Sequence, residues 1–145
     1  MDNRTTANEC TYFKLQSLHR VVARYYDSHL ADSGLKGTQL ALLSSIWSTE
    51  PVRPSDLALR LHLDNSTITR TLRTLRERGL TRCLPGSDDR SRFIELTDDG
   101  QKALARGRRS LRHAQTELAD QVSVDELDRL HALLDRFTDT LNAHA

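Results

Sequence analysis

The feature that most constrains this chain is a change of period at Gly79. Before it, apolar residues recur at three- and four-residue steps, as in helices that pack by one face. Directly after it come two segments of strand-like composition, LTRCL and RSRFIEL, separated by the turn-rich PGSDD. From Thr97 onward the helical period returns. One β-hairpin among helices is all the strand this pattern supports. The core must come from helix packing, with the hairpin as an appendage. Only three Pro and six Gly in 145 residues leave little room for linkers, and only seven aromatic residues leave the core to Leu, Val, Ile and Ala.

The helices can be placed from their punctuation. Phe13, Leu15, Leu18, Val21, Val22, Tyr25, Tyr26 and Leu30 predict a long amphipathic helix over about 10–30, ended by Gly34 and Gly37. TQLALLSSIWS, opened by Thr38, is apolar on nearly all sides and predicts a buried helix. Pro54 suits the first position of a short third helix that buries Leu57, Ala58 and Leu61. His62 and Leu63 make a tight turn, Asp64 caps a fourth helix and Gly79 terminates it. Thr97 caps a long helix to about Val122, and Ser123 with Glu126 forms a capping box before a last helix to about Asn142. The predicted fold is mainly α with a small β-hairpin wing. A helix–turn–helix followed by a hairpin is the plan of a winged helix-turn-helix.

The fourth helix, in DNSTITRTLRTLRERG, has an unusual composition. Four threonines lower its propensity, because β-branched side chains lose rotamer freedom in a helix. At ~100° per residue, Ile68, Leu72 and Leu75 form a buried stripe. Ser66, Thr69, Arg70, Arg73 and Glu77 take the opposite face, and Thr67 lies on the flank of the first turn. Short hydroxyls near the N-terminus with arginines one and two turns on suit entry into a DNA major groove. The hydroxyls and the helix N-terminus are expected to meet phosphates or bases. A solvated face with an Arg73–Glu77 pair is the alternative.

Charge agrees with the DNA reading. The whole chain is formally +1, but residues 53–97 hold nine basic and six acidic residues while residues 98–145 hold seven and nine. The wing adds Arg90 and Arg92, with Asp88 expected to bond backbone amides of the turn and orient Arg90. No membrane-length apolar run and no signal-peptide pattern occur, so a cytoplasmic location is expected. No nucleophile–base motif or phosphate loop argues for an enzyme. The six histidines show no metal spacing, and no cofactor is expected.

The run PSDLALRLHLDNSTITRTLRTLRERGL, followed by GSDDRSRFIELTDDGQKAL, resembles the MarR family of bacterial transcription regulators. The specific part is Asp88-Asp89-Arg90 followed by Leu96-Thr97-Asp98-Asp99-Gly100. The resemblance implies one domain over 1–145, with a DNA-binding core at 38–97 and helical dimerisation regions at 8–33 and 98–145. It implies a homodimer, a pseudo-palindromic double-stranded DNA operator and repressor activity. Matched recognition positions are Ser66, Thr67, Thr69, Arg70 and Arg73, with Arg90 as the wing arginine and Ser55 beside a phosphate.

Two release signals remain open. A small-molecule inducer would lie between the dimer helices and the winged core, near Leu18, Val22, His29 and Trp47. Alternatively, Cys10 is similar in position to the sensing cysteine of the organic-hydroperoxide branch, and a helix N-terminus favours a thiolate there. Cys83 lies on the first wing strand and is expected to serve packing and not chemistry. A winged-helix module that docks on protein without binding DNA is the remaining alternative, and salt-dependent DNA binding separates it from a regulator.

Overall fold

The computed structural model describes residues 9–85 and 92–145. Its elements in chain order are α1 (Thr11–Leu30), a 3-10 turn (Ala31–Ser33), α2 (Gly37–Thr49), α3 (Pro54–Leu61), α4 (Asn65–Glu77), β1 (Thr81–Leu84), β2 (Phe93–Leu96), α5 (Asp98–Val122) and α6 (Val124–Asn142). The chain divides into two compact units, Met1–Leu111 and Arg112–Ala145, so the division falls inside α5.

The first unit holds the main core. Leu30, Leu40, Leu42, Leu43, Ile46, Leu57, Ile68, Leu72 and Leu75 bring four helices together, and Leu80, Ile94, Leu96 and Leu104 close it from the hairpin and α5. Leu42, Leu43, Leu57 and Leu75 are fully buried. Truncating such a leucine to Ala costs about 2–5 kcal/mol, from lost transfer and the cavity left behind. In the second unit Ala114 and Leu127 are buried, while Leu130, Leu133, Leu134, Phe137 and Leu141 on α6 stay exposed in the single chain.

The hairpin pairs Thr81 with Leu96 and Leu84 with Phe93 in antiparallel register. Sequence periodicity missed its neighbour. Val52 forms an antiparallel bridge to Ile94, with backbone bonds of 3.1 and 2.8 Å in the two directions. Beside it, the Leu96 N–H donates to Glu50 Oε2 at 2.9 Å. The two-residue approach to α3 thus seats the wing on the core.

One junction explains the LTDDG motif. Thr97 Oγ1 donates to Gly79 O at 2.6 Å and accepts from the Gly100 N–H at 3.0 Å. The Thr97 N–H donates to Leu80 O at 3.1 Å. A Cβ on Gly100 would stand 2.0 Å from that same Leu80 oxygen, so only glycine lets α5 begin here. The capping box at α6 departs from expectation in one bond. Ser123 Oγ accepts from the Glu126 N–H at 3.3 Å, but the Glu126 carboxylate receives the Ser123 hydroxyl rather than its amide. That amide is already taken by Ala119 O at 2.9 Å, the last turn of α5.

Candidate nucleic-acid interface

Helix α4 is fixed on one face and clamped at both ends. Ile68, Leu72 and Leu75 are buried, as the face reading expects, while Ser66, Thr69, Arg70, Arg73 and Glu77 are exposed. At the N-terminus, Asp64 Oδ1 accepts the Thr67 N–H at 2.6 Å and the Ser66 hydroxyl at 2.7 Å. These bonds, the Thr67 amide foremost, pull the Asp64 carboxyl from its ordinary 3.8 to about 2. It is therefore an anion at every physiological pH. At the C-terminus, Gly79 takes a φ of 73°. Its N–H bonds Arg76 O and the Leu80 N–H bonds Leu75 O, both at 2.9 Å, which is a Schellman closure.

The threonines have a structural account that their composition did not reveal. Thr69 Oγ1 donates to Asn65 O at 2.8 Å, Thr71 to Thr67 O at 2.8 Å and Thr74 to Arg70 O at 3.2 Å. Each hydroxyl proton bonds the carbonyl one turn back, the local pattern open to Thr in a helix. In the free chain the Ser66 hydroxyl bonds Asp64 Oδ1 and the Thr69 hydroxyl bonds Asn65 O. At the α4 N-terminus the Asp64 carboxylate takes the Thr67 amide. Both groups keep oxygen lone pairs as acceptors.

The arginines differ. Arg73 Nε meets Glu77 Oε1 at 3.0 Å, the pair anticipated from spacing, with both side chains well exposed. Such a pair contributes about 0.3–0.5 kcal/mol and opens readily. Arg70 has no ion pair among the described residues and shares a shallow depression with Asn65, Ser66, Thr69 and Arg73. A second cleft lies between α4 and the hairpin and is lined by Arg73, Arg76, Arg92, Pro54 and Cys83 among others. Arg76 Nη1 approaches Cys83 Sγ at 3.9 Å, and Cys83 packs partly against the core, as expected. Arg82 and Glu95 pair across the hairpin. Asp88 and Arg90 lie outside the described residues. Arg92 and Ser55 are exposed, Ser55 in the first turn of α3.

The residues singled out for sensing lie on α1, at its N-cap and on α2. Cys10 is half-buried at the N-cap of α1 and forms no hydrogen bond to a tyrosine hydroxyl among the described residues. Leu18 and Val22 are on the exposed side of α1, and His29 Nδ1 lies 2.9 Å from Tyr25 O at its last turn. Trp47 on α2 is half-exposed with the Arg108 guanidinium 4.5 Å from its ring centre, a contact spacing had not suggested.

A helix pair, α3–α4, followed by a hairpin and carrying exposed arginines on its second helix defines a winged helix-turn-helix transcription regulator. Comparison with known proteins agrees. The model of the MarR family matches residues 35–91. The chain is 31% identical to the M. tuberculosis transcriptional regulator MosR, solved in complex with DNA, over 93% of this chain and 98% of that one, with a TM-score of 0.81. It is 24% identical to the uncharacterized HTH-type regulator YdgJ of Bacillus subtilis, over 90% of this chain and 78% of YdgJ. It is also 30% identical to the organic hydroperoxide resistance transcriptional regulator of Bacillus subtilis, over 61% of this chain and 60% of that protein. The chain belongs to the MarR family: it is a DNA-binding transcription regulator and not an enzyme. No helix among the described residues is long and apolar enough to cross a membrane.

Proposed function

We propose that this chain is a homodimeric repressor, working in the cytoplasm, that binds a pseudo-palindromic operator and is released by a small ligand. The observation that carries it is the α4 face of Ser66, Thr69, Arg70 and Arg73, exposed while Ile68, Leu72 and Leu75 anchor the same helix. In this reading α4 enters the major groove, Ser55 and Thr67 lie along the backbone, and Arg90 and Arg92 extend the contact from the wing, with Asp88 supporting the turn. The dimer is supported by the apolar residues of α1 and α6 that the single chain leaves exposed. Two-fold symmetry sets half-sites about one turn, ~34–36 Å, apart.

Selection of genomic fragments bound by the chain, followed by a salt titration of the best fragment, tests this. Log affinity is expected to fall linearly with log salt. Binding that ignores salt, or no selected fragment at all, rules the reading out. A second reading makes Cys10 an oxidant sensor. It is favoured by the position of the thiol at the N-cap of α1 and by the hydroperoxide-resistance relative. Hydroperoxide then releases DNA from the wild type but not from Cys10→Ser; equal release from both ends this second reading.

A further inference from the structure

The wing's seat on the core carries a residue that the composition of α4 gave no reason to single out. Val52 and Ile94 exchange both backbone hydrogen bonds, so the register sets Arg53 opposite Phe93 as the next, non-bonded pair, where side chains approach closest. The Arg53 guanidinium accordingly lies 5.0 Å from the Phe93 ring centre. A guanidinium over an aromatic ring can keep N–H groups open to a further partner. Arg53 is exposed and has no ion pair among the described residues. It is also the N-cap of α3, although its side chain makes no capping bond. Its neighbour Pro54 lines the cleft that holds Arg73, Arg76 and Arg92 and has no acidic residue in its lining.

We propose that Arg53, held on Phe93, is a further operator-binding residue that clamps a DNA backbone phosphate at the start of α3. The first helix of a helix-turn-helix crosses the DNA backbone while the second reads the groove, so the α3 N-cap is suitably placed for a phosphate contact. The aromatic platform holds a long side chain in one orientation before DNA arrives, which reduces the ordering that binding must impose. The inference rests on the operator-binding reading above. Phe93 is a positioning residue.

The test uses the full chain and a mixed-sequence DNA duplex, because phosphate contacts do not depend on sequence, titrated from roughly 50 to 200 mM salt. Arg53→Ala and the planar but neutral Arg53→Gln are both expected to flatten the log K against log salt line by about 0.9 per protomer. Arg53→Lys, which keeps the charge, retains the slope. Phe93→Leu retains the slope with a smaller loss of affinity than Arg53→Ala. A wild-type slope in folded Arg53→Ala or Arg53→Gln overturns the inference, even if melting shows that the stack braces the wing. Arg70→Ala is measured in parallel. Wild-type chain without salt-dependent DNA binding overturns the operator reading and this inference together. Wild-type binding with slopes unchanged at position 53 overturns this inference alone.

Discussion

Helices α4 and α6 each carry an apolar stripe, and the chain treats them oppositely. The stripe of α4 is buried, with Ile68 at 1% exposure and Leu75 at 0%, and its polar face is outward. On α6, Leu133 is 44% and Phe137 47% exposed. The apolar stripe of α4 is fully used within the chain, which leaves its polar face outward. Helix α6 instead leaves its large apolar side chains exposed, and the proposed dimer would cover them. Similar periodicity therefore marks an internal core in one helix and an exposed apolar face in the other.

The largest expected effect comes from breaking the α6 side of this contrast. Phe137→Asp forfeits about 1.5–3 kcal/mol of burial in each copy and brings a charge to the interface. Sedimentation is expected to show monomer, with operator binding reduced at least tenfold. A variant that remains dimeric removes this stripe from the interface. The next largest acts on the end clamp of α4. Gly100→Ala drives a methyl into Leu80 O and is expected to cost about 1–3 kcal/mol of stability in denaturant unfolding. Wild-type stability would show that α5 can begin without this close approach.

Arg70→Ala is expected to weaken operator binding by about 1–3 kcal/mol while the dimer stays folded, measured by gel shift and thermal melting. Unchanged affinity removes Arg70 from the interface. A smaller effect concerns the cap. The folded Asp64 carboxyl, at about 2, lies below its ordinary 3.8. Its stabilisation is therefore full above about pH 4 and is lost as pH falls toward 2. Asp64→Ala should lower the melting temperature at pH 7, and the difference from wild type should shrink on acidification. A constant difference would mean that the cap acts through shape and not charge. Smallest of all, Glu77→Gln frees Arg73 and changes stability by less than about 0.5 kcal/mol.

What could be read in advance follows the range of the interactions. Pro54, Asp64, Gly79 and Ser123 mark boundaries because each acts within a few residues of itself, and all four do so here. The α4 faces were legible because 3.6-residue periodicity needs no partner. The Val52–Ile94 bridge and the Glu50 bond to Leu96 join residues more than forty positions apart, and nothing in either segment announces the other. Arg53 escaped notice for that reason, since its partner is chosen by register. The threonine bonds were local and could have been anticipated: each hydroxyl stands four residues after the carbonyl it meets. Attention to propensity and to DNA concealed them.

Those spent protons give α4 a polarity along its length. While they hold these bonds, the Ser66 and Thr69 hydroxyls offer lone pairs outward. Arg70 and Arg73, further along, can only donate. The same internal bonds that make a threonine-rich helix tolerable thus order the outward face of α4 along its whole length.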